Sequence, residues 1–143
     1  SLAELARHPL ISYESSKLPE SSLQRAFAAT GSEPQIAMTA RDANLIKTYV
    51  RAGLGAGLLA EMAVNTREDD DLRVIEAPPE LPECITWAVV PRGRVLREYA
   101  LALLNALAPQ LDPRDLRRVL EGNQEPRWPE APRWSEQARP VDA

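Results

Sequence analysis

Short apolar runs alternate with helix-like patterns along the first 60 positions of the chain. The runs at 10–13 and 35–39 are compact and β-prone, which predicts two strands. Apolar residues recur at helical spacing in 22–30 and 42–52, so a helix is expected after each strand. This alternation is typical of an α/β fold, in which helices cover a sheet.

Capping residues mark where these helices begin and end. Ser1 and Glu4 form a capping box, so a short helix is expected at the start of the sequence. Ser21 or Ser22 caps the next helix, and Gly31 ends it because glycine accepts a left-handed backbone. The capping residues therefore support the helices that the periodicity predicts.

The third helix begins at Asp42 and has two different faces. Its apolar positions are Leu45, Ile46, Tyr49 and Val50. Its solvent-facing positions are expected to be Asn44, Lys47, Thr48 and Arg51. Gly53 ends this helix, and the run 55–60 is expected to form a buried strand whose glycines allow close packing.

Beyond residue 60 the pattern predicts further strands and helices. Residues 72–75 and 84–90 are β-prone, and the acidic run 68–71 before them is expected to be a solvated turn. Residues 95–107 predict a helix that is apolar around most of its circumference, and residues 112–120 a last short one. So apolar a helix needs partners on several sides, and the isolated chain is therefore expected to self-associate.

Composition limits the classes of function that remain open. The chain has 143 residues and a formal net charge of −4, and its Lys and Arg residues form no cluster on a helix face, which argues against direct nucleic-acid binding. The single Cys84 excludes an internal disulfide, and the single His8 leaves no evident catalytic base or metal-ligand set. We therefore predict no enzyme, no metal site and no cofactor, with Cys84 as a small core residue. No apolar run reaches membrane-spanning length, so a cytoplasmic location without membrane contact is expected.

Two motifs invite other interpretations. The glycines of 53–57 could suggest a dinucleotide-binding loop, but here a helix precedes them and a strand follows, which is the reverse of that motif. We interpret them as a helix end. The acidic run 68–71 could suggest calcium, yet it lacks the alternating spacing of an EF-hand loop, so the solvated turn is favoured.

Two strand-to-helix corners carry the polar groups best suited to a small ligand. The candidate site residues are Ser15, Ser16, Lys17, Thr39 and Asp42. The first corner offers hydroxyls, an ammonium group and helix-terminal amides, which suit an anion or a carboxylate. The second lies where open α/β sheets bind ligands. Each corner is also explained by ordinary helix capping, and the local sequence leaves both interpretations open.

The segment 39–60 closely resembles the effector-binding domain of LysR-type transcriptional regulators, and within them the CysB-like branch. The resemblance is carried by Asp-Ala-x-x-Ile-Lys-Thr-Tyr-Val-Arg at 42–51, followed by alternating glycines. Segments 2–13 and 21–27 are similar too, and the resemblance extends to about residue 111. We therefore expect a partial LysR-type effector-binding domain at 1–121 and a separate tail at 122–143, rich in proline and tryptophan, whose indoles are partly buried.

This resemblance implies a periplasmic-binding-protein-like (type 2) α/β fold. The chain would match mostly the second subdomain, together with the C-terminal crossover strand and helix. It further implies a homodimer or homotetramer that binds DNA only through an N-terminal helix-turn-helix outside this chain. The implied effector is O-acetylserine, N-acetylserine or a sulfur oxyanion, although Leu18 stands where CysB-like proteins have a threonine in the anion-holding loop.

The resemblance thus implies an effector-sensing regulatory domain that controls sulfur or cysteine metabolism. The alternative is a solute-binding protein of a transporter, which shares this fold and its ligand cleft. An upstream signal peptide would favour the transporter, whereas an upstream helix-turn-helix would favour the regulator.

Overall fold

The structure is a computed structural model that describes residues 1–65, 67–91, 95–122, 125 and 127–134. The chain divides into two compact units, Ser1–Cys84 and Ile85–Ala143. The helices and strands of the first unit are α1 (Leu2–Leu5), β1 (Leu10–Tyr13), α2 (Ser22–Ala29), β2 (Ile36–Ala40), α3 (Ala43–Arg51) and β3 (Ala56–Gly57). Those of the second unit are α4 (Glu98–Leu107) and α5 (Pro113–Glu121).

The first unit is built on a three-stranded sheet in the order β2-β1-β3. Both pairings are parallel, with Ser12 opposite Thr39 on one side and Leu10 opposite Ala56 on the other. Because the strands run in the same direction, their carboxyl ends meet at one edge of the sheet. The loops that follow β1 and β2 therefore lie side by side.

The core of this unit has two layers, one on each face of β1. Successive residues of a strand point to opposite faces of its sheet. Leu10 packs with Leu2, Leu23 and Phe27, which belong to α1 and α2. Ile11 packs instead with Ala40 and Ile46, and Ile46 belongs to α3. Burial of a side chain as large as Phe27 contributes about 1.5–3 kcal/mol, so helices on both faces stabilise the sheet.

The predicted helix caps are confirmed. The side chains of Ser1, Ser21 and Asp42 each accept a hydrogen bond from the backbone N–H three residues later, at 3.3, 3.2 and 2.9 Å. Gly31 and Gly53 follow the ends of α2 and α3 with φ of +68° and +75°. The left-handed backbone expected at these helix ends is therefore present.

The remaining glycines of the 53–57 motif serve close packing. A Cβ added to Gly55 would lie 2.3 Å from the Pro9 carbonyl oxygen, and one added to Gly57 would lie 2.9 Å from a Val50 methyl carbon. The same Pro9 oxygen accepts the backbone hydrogen bond of Ala56 at 2.9 Å, which joins β3 to the start of β1. The interpretation as a helix end and a close strand is thus confirmed, although β3 is shorter than the predicted 55–60.

The strands predicted at 72–75 and 84–90 are wrong. Both segments are irregular, and Cys84 is exposed rather than part of the core. Ile85, Trp87 and Val89 expose 58%, 76% and 89% of their surface. A strand needs a neighbour to accept its backbone hydrogen bonds, and no strand of the described residues lies beside these segments.

The second unit consists of α4 packed against α5. Leu101, Leu116 and Leu120 form its buried cluster. The helix predicted at 95–107 begins later, at Glu98, whereas the last helix has the predicted Asp112 cap and first-turn proline. On α4, Tyr99, Leu103 and Leu107 share one face that the other described residues leave exposed, so this side of the helix is not covered within the part of the chain that the structure describes.

The predicted tail is described only in part. Trp128 and Trp134 are 40% and 38% exposed, so more than half of each side chain is covered, as expected. Residues 123, 124, 126 and 135–143 of the tail lie outside the described residues.

We predict that Gly55→Ala lowers the free energy of unfolding by about 3 kcal/mol or more, because its Cβ would meet backbone 2.3 Å away. Gly31→Ala is the matched control. It also has a positive φ, but nothing lies within 4 Å of its added Cβ, so a loss of about 1–2 kcal/mol is expected. Urea denaturation measures both losses, and equal losses would contradict the packing role of Gly55.

We also predict that the isolated chain self-associates at micromolar concentration through the exposed face of α4. Replacing Leu103 and Leu107 with lysine should shift sedimentation toward the monomer, because charge on this face opposes burial. Ala28→Lys, at an exposed position of α2, is the control and should leave the association unchanged. A parent chain that sediments as a monomer would refute the prediction.

Candidate functional site

The predicted site residues lie at the carboxyl edge of the sheet. A 3₁₀ helix, Glu14–Lys17, follows β1 directly and carries Ser15, Ser16 and Lys17. Thr39 lies in the adjacent strand β2, one position before its last residue, and this 3₁₀ helix contacts β2. The two corners are therefore neighbours within the first unit.

A shallow cavity of about 300 Å³ opens beside the 3₁₀ helix. It is lined by Ser15, Ser16, Leu18, Glu20, Ser21, Ser22 and Leu23. Among the candidate residues, Ser15 and Ser16 line this cavity, whereas Lys17, Thr39 and Asp42 do not. The Glu20 carboxylate contributes a negative charge to the lining that the sequence analysis did not anticipate.

Hydrogen bonds fix the 3₁₀ helix to the start of α2. The Ser16 carbonyl oxygen accepts from the Ser21 hydroxyl at 3.2 Å and from the Gln24 side-chain amide at 3.1 Å. The Ser21 oxygen also accepts from the Gln24 backbone N–H at 3.2 Å. These groups are occupied, so the hydroxyls of Ser15 and Ser22, which have no partner among the described residues, are the freer donors.

Ser12 is a site residue that the sequence analysis missed. It lies in the central strand β1 and is 3% exposed. Its hydroxyl oxygen lies 2.8 Å from the Ser16 hydroxyl oxygen and 3.4 Å from the Leu58 carbonyl oxygen. The available signal was a polar residue inside an otherwise apolar strand, since a buried hydroxyl requires a partner.

Asp42 and Lys17 were predicted as site residues, but neither lines the cavity. The Asp42 carboxylate accepts from the Leu45 backbone N–H at 2.9 Å, which is the role of an ordinary helix cap. Lys17 is exposed and is not among the residues that line the cavity. Thr39 is half-buried beside Ser12 across the β1–β2 pairing.

The prediction that Lys47 faces solvent is wrong. Lys47 is 7% exposed, and its ammonium group donates to Asp69 Oδ2 at 2.8 Å and to the Ala63 carbonyl oxygen at 3.1 Å. Arg51, one turn later on α3, donates to Asp69 Oδ1 at 3.0 Å and forms a bidentate pair with Asp71 at 2.7 and 2.8 Å.

The acidic run 68–71 is consequently not a simple solvated turn. Asp69 is 5% exposed and also accepts from the Asn65 backbone N–H at 2.9 Å. Asp70 and Asp71 remain exposed, as expected. Helical periodicity assigned Lys47 to the polar face correctly, but it carries no information about a carboxylate 22 positions away that covers that face.

These ion pairs shift the pKa values of Asp69, Asp71 and Arg51. Hydrogen bonds from Lys47 and from the Asn65 backbone lower the pKa of Asp69 to about 2. The Arg51 guanidinium lowers the pKa of Asp71, and the two carboxylates raise the pKa of Arg51. Asp69, Asp71 and Arg51 are therefore charged at neutral pH, and the ion pairs hold the two carboxylates against α3.

A second cavity, of about 530 Å³, lies between α4 and α5. Arg114, Arg117 and Arg118 line it together with acidic residues. Arg117 pairs with Glu98, and Arg118 pairs with Asp115 at 3.1 Å. Because these pairs are exposed and therefore screened by solvent, we do not assign a ligand to this cavity.

Within the described part of the chain, no group of three or more His, Cys, Asp and Glu side chains is placed to hold a metal ion. No helix of these residues is both long and apolar enough to cross a membrane.

We predict that Asp69→Asn lowers the melting temperature at pH 7, because Lys47 then loses its charged partner. The Asp69 pKa is lowered from 3.8 to about 2, so its stabilisation is complete above pH 4 and is lost as the pH falls toward 2. The difference in melting temperature between the parent chain and the variant should therefore disappear as the pH falls from 4 toward 2, and thermal unfolding measures it. Asp70→Asn, at an exposed neighbour, is the control and should match the parent at every pH.

Comparison with known proteins gives a consistent result. The family model of the LysR substrate binding domain matches residues 1–112. The HTH-type transcriptional regulator CysB of Burkholderia cenocepacia is 36% identical over 124 residues, which cover 87% of this chain and 40% of that protein. The regulator SsuR of the same organism is 33% identical over 119 residues, covering 83% of this chain and 39% of SsuR.

A solved structure agrees with these sequence matches. The crystal structure of the cofactor-binding domain of the Cbl transcriptional regulator superposes with a TM-score of 0.65 at 28% identity, covering 85% of this chain and 53% of that one. The chain spans about 40% of the length of the curated relatives it matches. The expected periplasmic-binding-protein-like α/β fold and the CysB-like resemblance are confirmed, and the chain belongs to the LysR substrate-binding domain family.

Proposed function

We propose that this chain is the effector-sensing part of a LysR-type transcriptional regulator of the CysB-like branch. The observation that carries the proposal is the family match over residues 1–112, together with relatives that are named as transcriptional regulators. The same names favour a regulator over a solute-binding protein of a transporter. The regulator would have no catalytic activity of its own and would act in the cytoplasm.

The proposed effector is a small anion or carboxylate, of the class of O-acetylserine, N-acetylserine or a sulfur oxyanion. The hydroxyls of Ser15 and Ser16 would hold it beside the start of α2, because the first backbone N–H groups of a helix lack an acceptor within the helix and favour an anion. Lys17 would supply positive charge from the rim. Thr39 and Asp42, at the adjacent corner, would shape the site rather than bind the anion, because Asp42 is negatively charged and already caps α3.

Glu20 sets a limit on the ligands that this corner can accept. Glu20 is one of the residues that line the same cavity, and its negative charge would repel a ligand that carries only negative charge. A ligand with an anionic group near the serines and a neutral or cationic part near Glu20 avoids this repulsion. The charge arrangement therefore favours a substituted amino acid over a bare oxyanion.

Signal transfer would follow from the hinged architecture of the family. An effector held between two subdomains favours one angle of the hinge and so shifts the population of conformations. In a homodimer or homotetramer, that shift changes the spacing of the N-terminal DNA-binding domains that lie outside this chain. We propose residues 1–121 as the part of the chain that takes part in this movement and 122–143 as a separate tail.

We predict that replacing Ser15 and Ser16 with alanine in the full-length regulator weakens N-acetylserine binding by about 1–3 kcal/mol for each charged hydrogen bond lost. Lys17→Ala, made separately, should weaken binding less because the side chain lies outside the cavity lining. Calorimetry measures affinity, and promoter binding without effector should remain unchanged.

Ser32→Ala is the matched control, since Ser32 belongs to the same unit but its hydroxyl bonds to Thr30 away from the cavity. Wild-type affinity in the double variant would show that the corner is only a capped loop. Promoter binding that responds to no effector would contradict the proposed function itself.

A further inference from the structure

We propose that two copies of this chain associate through residues 84–90, which pair with each other as antiparallel strands. Apart from Cys84, this segment belongs to the second unit, whereas the candidate effector site belongs to the first. The proposal therefore does not rest on the proposed function.

The backbone of 84–90 has no hydrogen-bond partner among the described residues. Residues 82–91 also run without a turn or a bend. Pro82 and Pro91 mark the ends of this stretch, and every residue between them has a backbone N–H donor. A segment with unpaired donors and acceptors is a template for pairing with another strand.

The side chains of the segment alternate as they do in a strand. Ile85, Trp87 and Val89 are large, apolar and exposed, and the smaller Thr86 and Ala88 lie between them. Alternate residues of a strand point to one face, so the three large side chains would form a continuous apolar face. The segment carries no charge and no proline, which is the composition of strands that pair between molecules. Pairing would therefore satisfy backbone groups and bury apolar surface together.

A second copy of the same segment suits this surface. When Trp87 lies opposite the second copy's Trp87 in an antiparallel pair, each Ile85 lies opposite a Val89. Opposite residues of such a pair point to the same face, so the large side chains of one copy meet those of the other. A shift by one residue would place large side chains opposite the smaller ones, so the alternation selects this register.

Charge favours the antiparallel over the parallel orientation. Glu80 and Glu83 precede the segment in the sequence, and Arg92 and Arg94 follow it. Antiparallel pairing brings the acidic end of one copy to the basic end of the other, whereas parallel pairing brings like charges together. Both copies then present the same surface, which is the arrangement of a two-fold dimer.

Disulfide cross-linking of the 143-residue chain tests the register. In a Cys84→Ser background, Trp87→Cys should form a disulfide-linked dimer under mild oxidation. Opposite residues of antiparallel strands have Cα atoms about 4.5–5.5 Å apart, which a disulfide can span. Val89→Cys is the matched control. Val89 is more exposed than Trp87 but lies opposite Ile85, so this variant should cross-link to itself at least about 10-fold more slowly.

A second pair of variants keeps the indole that pairing buries. In the same background, Ile85→Cys mixed with Val89→Cys should give a cross-linked heterodimer, whereas neither variant should cross-link to itself. Equal cross-linking of all these variants would show random collision and would refute the pairing.

A proline tests whether the segment holds the dimer together. Thr86→Pro removes one N–H donor from each copy, so it should raise the dimer dissociation constant in sedimentation by at least about 10-fold. Ala77→Pro, at an exposed and irregular position outside the segment, is the control and should leave the constant unchanged.

The lysine variants of α4 report on a different surface of the second unit. If they abolish association and Thr86→Pro does not, α4 holds the dimer and the proposal is refuted. A parent chain that sediments as a monomer at micromolar concentration refutes it as well.

Discussion

The central strand β1 has a neighbour on each side and must be covered on both faces, and this constraint organises the first unit. Residues 10–12 are all buried, and alternate side chains face opposite layers. Leu10 therefore requires α1 and α2, and Ile11 requires α3. The same geometry brings the loops after β1 and β2 to one edge, so the candidate site is a product of the arrangement that buries the core.

The sequence alone was enough to predict where the helices begin and end, because capping residues act within a few positions of the chain. The caps at Ser1, Ser21 and Asp42 and the glycines at 31 and 53 act within a few residues, and the structure contains all of them. The segments 72–75 and 84–90 differ, because their β-prone composition becomes a strand only when another strand accepts their hydrogen bonds. Such a partner is not encoded within the segment itself.

In the candidate site, too, the features set by neighbouring residues were predicted, whereas those that depend on residues far along the chain were not. Position in a strand-to-helix corner was enough to bring Ser15 and Ser16 to a cavity lining, whereas the side chain of Lys17 lies elsewhere. The burial of Lys47 and of Ser12 depends on groups far along the chain, on Asp69 in one case and on Leu58 in the other. Periodicity locates the face of a helix or strand, but it does not show what covers that face.

Because the side chains of β1 alternate between two buried layers, insertions and deletions within this strand are more disruptive than those in the loop that follows it. Removing or adding one codon within 10–13 would move every later side chain of the strand to the opposite layer, so that Ser12 would enter the apolar layer formed by Ala40 and Ile46. Insertions in the 14–20 loop leave that alternation intact. The fold is therefore compatible with changes in the length of this loop, whereas the strand before it must keep its length.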